Sequence, residues 1–124
     1  MRLAKMLIIL VLGGLSAVAA AGTKTNVATV IGTGYMYASL SSARYSSNTL
    51  EYLSCDQYSS GYIYCSARNA AGATGYCYTD AATNPSFAET MRAMNSASLV
   101  YVWFDSATAI CTNIMVRNGS NYLP

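Results

Sequence analysis

Hydrophobic and polar residues alternate with a period of two along residues 52–80. Odd positions are small or apolar, whereas even positions are polar or aromatic. Because successive side chains of a β-strand point to opposite faces, the alternation predicts strands over 49–58, 61–68 and 73–79. Turn-forming residues separate them, Ser59 and Ser60 in the first gap and Asn69 to Gly72 in the second. We therefore expect a three-stranded antiparallel meander with one apolar face and one tyrosine-rich face.

Other strands are predicted on both sides of this meander. Residues 26–38 are rich in β-branched and aromatic side chains, with Gly32 and Gly34 indicating a bend or bulge. Residues 41–48 are serine-rich and predict a loop. Residues 99–105 and 109–117 predict a hairpin around 106–108. Residues 99–104 of the first strand carry no charge and no proline, so we expect this strand in the centre of the sheet, with Trp103 in the core.

One helix is predicted, over residues 85–94. Asn84 can cap it, and Pro85 suits the first helical position. Phe87, Met91 and Met94 recur at helical spacing, so they predict a stripe that packs into the core. The fold class is therefore α+β: an antiparallel β-sheet meander with one helix packed on one face and two disulfides.

The first 21 residues have the three-part pattern of a signal peptide. Arg2 and Lys5 precede an uncharged apolar run over 6–15, and small residues fill 16–21. Cleavage fits after Ala19, Ala20 or Ala21, and we favour Ala21. The alternative is an uncleaved anchor, but 16 apolar and small residues fall short of the roughly 20 that span a bilayer. We expect a single domain over 22–124, secreted or periplasmic, with no membrane contact after cleavage.

Loss of the signal segment removes two of the seven basic residues, which leaves five basic against five acidic residues. No basic patch remains to favour nucleic acid or an anionic membrane surface. We therefore expect no nucleic-acid partner.

Four cysteines allow three pairings, and the predicted hairpins narrow them. Cys55 lies opposite Cys65, and Cys65 lies opposite Cys77, which puts Cys55 and Cys77 about 10 Å apart, too far for a bond. We favour Cys55–Cys65 with Cys77–Cys111 over Cys65–Cys77 with Cys55–Cys111. The wide spacing and the absence of histidine from the sequence argue against a metal site, and we expect no cofactor.

Catalytic candidates are few. Without histidine, the Ser-His-Asp and Cys-His arrangements are impossible, and a Ser-Lys pair would need Lys24. Asp56 and Asp80 fall on one predicted face and could act as paired carboxylates. Each also lies next to a turn or strand end, where aspartate caps the backbone. We expect no enzymatic activity and no catalytic residue.

The predicted tyrosine-rich face is the candidate binding surface. A tyrosine ring offers a flat apolar face and a hydroxyl, which suit sugar rings and protein partners. The alternative is that cross-strand aromatic pairs only stabilise the sheet. The candidate binding residues are Tyr58, Tyr62, Tyr64, Tyr76 and Tyr78.

Several short motifs carry a resemblance to other proteins. The chain resembles a group of short exported bacterial proteins in four motifs. These are Gly75-Tyr76-Cys77-Tyr78, Asn84-Pro85 at the start of a helix, the segment SLVYVWFD over 98–105, and Cys111-Thr112. That group has a signal peptide, four cysteines and a helix between β-hairpins, and the resemblance spans about 55–124. It implies export and architecture, and it carries over no site residues.

The function expected from the sequence is extracellular binding or surface association by an exported, non-enzymatic protein. Its partner would be a cell-surface carbohydrate or an extracellular protein. The alternatives are a secreted toxin, bacteriocin or inhibitor, a small hydrolase that uses Asp56 and Asp80, and self-assembly through a sheet edge.

Overall fold

A computed structural model describes residues 24–123, and the predicted signal segment 1–21 lies outside the described residues. The described part of the chain forms strands, two α-helices and a short 3₁₀ helix. In chain order these are β1 Val30–Gly32, β2 Tyr35–Ser39, α1 Leu40–Tyr45, β3 Tyr52–Gln57, β4 Tyr62–Arg68, β5 Thr74–Asp80, α2 Pro85–Met91, β6 Ser98–Phe104, β7 Cys111–Asn118 and the 3₁₀ helix Ser120–Tyr122.

The strands form two antiparallel sheets. One has four strands in the order β1-β2-β6-β7, and the other is the meander β3-β4-β5. The predicted α+β class, with antiparallel strands, one main helix and two disulfides, is confirmed. The strands divide between two sheets where the sequence predicted one, because β6 returns to pair with β2 and not with the meander.

The meander has the predicted alternation. Leu53, Ile63 and Ala67 point inward and are buried, whereas their sequence neighbours are more exposed. Both turns contain a glycine in the left-handed region, Gly61 at φ +94° and Gly72 at φ +90°, a conformation that other residues adopt at a cost. The apolar pattern therefore sets the register, and the two glycines allow the reversals.

Residues 26–38 form a hairpin where the sequence predicted a bend or bulge. β1 pairs with β2 across a short turn at Thr33 and Gly34, and Gly34 has φ +79°. β6 has the predicted central position in its sheet, between β2 and β7, with Val100 and Val102 fully buried. A strand with both edges paired leaves no backbone edge for aggregation.

The prediction of Trp103 in the core is wrong. Val100 and Val102 take the inward positions of β6, so alternation turns Trp103 to the outer face of the sheet, where it is half-buried. The run of apolar residues in β6 hides this alternation, because both faces of the strand carry large apolar side chains.

The inner faces of the two sheets pack against each other. Gly75 of β5 lies against Ile31 and Met36 of the four-stranded sheet, and an added Cβ would come within 3.1 Å of Ile31. A side chain at Gly75 would therefore push the sheets apart. Small residues line much of the interface between the sheets. The hydrophobic core includes buried residues of both sheets and of α2, among them Met36, Ala38, Ile63, Cys65, Ala67, Cys77, Phe87, Ala88, Met91, Val100, Val102 and Ile114.

Helix α2 closes the core beside β7. The Asn84 side chain accepts a hydrogen bond from the Phe87 amide at 3.3 Å, so the predicted cap is present. Phe87 and Met91 are buried and Met94 packs partly against the core, as the predicted stripe requires. The helix ends at Met91, three residues before the predicted end, because the last turn tightens into hydrogen bonds of three-residue span.

Helix α1 was not predicted, because the serine-rich residues 41–48 were expected to form a loop. Leu40 and Ala43 pack against the core, and this burial outweighs the weak helix propensity of serine. The serine hydroxyls find other partners: Ser41 donates to the carbonyl of Tyr122, and Ser39 bonds to Ser42 at 2.6 Å. This helix is therefore stabilised by long-range contacts, which the local sequence does not reveal.

Both disulfides form in the favoured pairing, so that prediction is confirmed. Cys55–Cys65 joins directly opposite residues of β3 and β4. Cys77–Cys111 joins β5 to β7 and therefore ties one sheet to the other. Beside it, the Tyr78 amide donates to the carbonyl of Ala109 at 3.0 Å, which closes the outer edge of β5.

Replacing Cys77 and Cys111 by alanine is expected to destabilise the fold more than replacing Cys55 and Cys65. The two loops have sequence separations of 34 and 10 residues, for which loop-closure entropy gives about 4 and about 3 kcal/mol. Of the two disulfides, only Cys77–Cys111 also links the two sheets. Urea unfolding of the two double variants, followed by circular dichroism, measures the difference. An equal or larger loss in the Cys55/Cys65 variant would contradict this account.

Candidate functional site

The outer face of the three-stranded sheet carries a continuous group of tyrosines, here called the tyrosine face. All the tyrosines proposed from the sequence lie on it, with Tyr58 in the turn after β3, and Tyr52 joins them. Four of the proposed residues are exposed, with relative accessibilities of 54% for Tyr58, 41% for Tyr62, 53% for Tyr76 and 36% for Tyr78. Tyr64 is half-buried among them.

Strand register arranges this face in four rows. The hairpin turn sets Tyr58 beside Tyr62, because the Tyr58 amide donates to the Tyr62 carbonyl at 2.8 Å. Reading from β3 to β5, the rows are Tyr52–Arg68–Thr74, Ser54–Ser66–Tyr76, Asp56–Tyr64–Tyr78 and Tyr58–Tyr62–Asp80. Aromatic rings therefore alternate with hydroxyl, carboxylate and guanidinium groups in two dimensions.

The rings of the tyrosine face lie too far apart to cover one another. Ring centroids are 6.2 Å apart in Tyr62–Tyr78 and 6.1 Å apart in Tyr64–Tyr76, with planes inclined by 22° and 28°. Contact between aromatic planes occurs near 3.5–4 Å, so these near-parallel pairs are displaced sideways. The displacement leaves ring surface open to a ligand.

Tyr64 lies at the centre of the tyrosine face. Burial raises the pKa of its hydroxyl, and the neighbouring tyrosines Tyr52, Tyr76, Tyr62 and Tyr58 raise it further. A raised pKa keeps the Tyr64 phenol protonated, and therefore a hydrogen-bond donor, to higher pH than an ordinary tyrosine.

Asp56 and Asp80 both lie on the tyrosine face, on opposite outer strands. They are two strand spacings and one row apart, which sets their Cα atoms about 12 Å from each other. Carboxyl pairs of glycosidases lie about 5–9.5 Å apart. To act as a pair, the two side chains would have to lean across Tyr62 and Tyr64, while Asp80 already accepts a hydrogen bond from the Ala82 amide at 2.7 Å.

A shallow cleft of about 310 Å³ opens at the acidic end of the tyrosine face. Tyr62 and Tyr78 form aromatic walls, and Ile110 adds an exposed aliphatic side chain from the segment before β7. Asp80 and Thr83 supply polar groups. The cleft can therefore receive a small group with both apolar and polar surface.

A second aromatic group, which the sequence analysis did not find, covers the outer face of the four-stranded sheet. This aromatic stack comprises Tyr35, Tyr37, Tyr101 and Trp103. Centroids are 4.1 Å apart in Tyr37–Tyr101 and 5.1 Å apart in Tyr101–Trp103, with planes inclined by 15° and 23°. In these two pairs the rings face one another, so they stabilise the sheet by mutual contact, whereas Tyr35 lies 6.2 Å from Tyr37. Alternation at positions 35, 37, 101 and 103 is the sequence signal for this stack.

Two further observations show that the aromatic stack is built into the sheet. The Tyr35 ring lies flat against Gly32 on β1, where an added Cβ would overlap the ring. Burial raises the pKa of Tyr101, and a hydrogen bond with the Tyr37 side chain raises it further. In the aromatic stack, ring faces and a hydroxyl are therefore occupied by contacts within the stack. On the tyrosine face the corresponding groups are open.

Two clefts of about 510 and 530 Å³ flank helix α1, and Glu51 lines both. The Glu51 carboxylate accepts a hydrogen bond from the Thr29 amide at 2.5 Å. Burial alone would raise the pKa of Glu51, but hydrogen bonds from Thr29 and Ser46 outweigh it and lower the pKa. The carboxylate is thus engaged in holding the segment before β1 against the α1–β3 connection.

Metal-binding clusters and membrane-spanning helices are both absent from residues 24–123. No group of three or more His, Cys, Asp or Glu side chains in this range is arranged to hold a metal ion. None of the helices in the same range has the length and apolar character of a membrane span.

Tyr37→Ala is expected to lower the free energy of unfolding by about 2 kcal/mol, because it removes a stacked, half-buried ring. Tyr76→Ala removes an exposed ring of the tyrosine face and should cost about 0.5 kcal/mol or less. Urea unfolding of both variants measures the contrast. Equal losses would mean that both aromatic groups are framework.

Comparison with known proteins gave no match: no protein-family model, curated protein or solved structure is significantly similar to the chain.

Proposed function

We propose that this chain is an exported, non-enzymatic binding protein whose tyrosine face binds extracellular or cell-surface carbohydrate. One observation carries the proposal: the rings of this face are exposed and laterally displaced, with polar groups between them. A sugar ring presents C–H groups on its face and hydroxyls at its rim. Open tyrosine rings match the first, and the serines, carboxylates and Arg68 of the same rows match the second.

The size of the tyrosine face favours a glycan over a protein. Its four rows extend about 20 Å along the strands, and its three strands span about 10 Å. This strip is narrow compared with the patch of about 800 Å² of accessible surface that each partner buries in a stable protein interface. A narrow, extended oligosaccharide fits such a strip, whereas a folded partner would need additional surface elsewhere.

Export completes the proposal. The pattern of residues 1–21 is that of a signal peptide, and two disulfides are compatible with an oxidising compartment. Asp80 already accepts a hydrogen bond from the Ala82 amide, the backbone-capping role of aspartate at a strand end, which favours binding over hydrolysis. A secreted or periplasmic location would bring the tyrosine face to the polysaccharides of a cell surface.

The test is co-sedimentation of the full chain, produced with its disulfides in an oxidising compartment, with insoluble cellulose, chitin and peptidoglycan. We expect binding to at least one of them. Tyr62→Ala combined with Tyr76→Ala should weaken it about tenfold or more. Tyr45→Ala is the matched control, since this tyrosine is 65% exposed on α1 and lies off the tyrosine face.

Near-ultraviolet circular dichroism checks that each variant remains folded. If the wild-type protein binds none of the three materials, the proposal fails. It also fails if the double variant binds as well as the Tyr45→Ala control.

A further inference from the structure

Charge is distributed unevenly along the tyrosine face. The third and fourth rows together hold four tyrosines and the carboxylates of Asp56 and Asp80, and no lysine or arginine. The one cation of the four rows is Arg68, in the first row, about 14 Å along β4 from Tyr64. One half of the face is therefore acidic and aromatic, and the other half is neutral to basic.

The two carboxylates of the acidic half are available to a ligand. Asp56 is exposed. Asp80 is partly buried: one of its carboxylate oxygens accepts the Ala82 amide, and the other lies beside the Gly61 backbone. Neither carboxylate forms a salt bridge with another described residue. Asp80 also borders the cleft between Tyr62 and Tyr78.

Exposed aromatic rings next to carboxylates form a surface that favours organic cations. The negative face of a tyrosine ring attracts an ammonium group, and a carboxylate supplies the counter-charge. The same rings still accept the apolar face of a sugar. A sugar that carries a protonated amine would satisfy the rings and the carboxylates at once.

We infer that the tyrosine face prefers glycans with free amino groups, with their ammonium groups bound at the Asp56 and Asp80 end. This inference rests on the proposed function and narrows its ligand to amino sugars that are not acetylated. Arg68 repels an ammonium group at the opposite end, so charge favours the Asp56 and Asp80 end for the amino-bearing sugars.

The test uses isothermal titration calorimetry with glucosamine and N-acetylglucosamine oligosaccharides of equal length, below the pKa of the amine. At low ionic strength we expect the wild-type protein to bind the amino form about tenfold more tightly. Added salt should reduce that ratio, because the carboxylates are exposed. Asp56→Asn with Asp80→Asn should abolish the preference, because it weakens binding of the amino form much more than binding of the acetylated form.

Glu89→Gln with Asp105→Asn is the matched control, since it removes two negative charges away from the tyrosine face. This control should keep the preference. Loss of the preference in both double variants would assign it to net charge and overturn the inference.

Equal binding of the two oligosaccharides by the wild-type protein would overturn the inference and leave carbohydrate binding intact. Binding of neither oligosaccharide, together with no co-sedimentation with any polysaccharide, would overturn both.

Discussion

Contact between the inner faces of the two sheets is the constraint on which the rest of the molecule depends. Gly75 lets β5 approach Ile31 and Met36, and the small side chains of Ala38 and Ala67 keep the core thin. Cys77–Cys111 ties the sheets covalently beside this contact. Small and aliphatic residues fill the inward positions of these strands, and the bulky aromatic side chains occupy the outward positions. The thin core and the tyrosine-rich surface are two consequences of one alternating pattern.

The two outer faces use their aromatic residues differently. In the aromatic stack, Tyr37 and Tyr101 lie 4.1 Å apart and share a hydrogen bond, so their ring faces are occupied. On the tyrosine face, Tyr62 and Tyr78 lie 6.2 Å apart and leave ring surface exposed. Composition alone treats all these residues as equivalent. The close contacts of Tyr37, Tyr101 and Trp103 mark these rings as framework, although Tyr35 at the edge of the stack lies 6.2 Å from Tyr37. The tyrosine face has no ring pair as close as Tyr37–Tyr101, and the proposed function therefore concerns that face.

Much of the fold could be predicted from the sequence, and what could not has a physical cause. Alternation between Leu53 and Cys77 gave the register of the meander, and that register led to the correct disulfide pairing. Helix α1 could not be predicted, because its serines are satisfied by distant groups such as the Tyr122 carbonyl. Trp103 was assigned to the wrong face, because β6 is apolar on both sides. Pairing of β2 with β6 depends on residues some sixty positions apart, so no local pattern indicated the second sheet.

The central claim is that the tyrosine face, and not the aromatic stack, is the ligand surface. Nuclear magnetic resonance titration with a soluble oligosaccharide tests it most directly, because amide shifts report the contacted strand residue by residue. The account predicts the largest changes along β4, β5 and the Tyr58–Gly61 turn, with the Trp103 indole signal unmoved. Changes centred on Trp103 and Tyr101, with β4 and β5 unaffected, would contradict it.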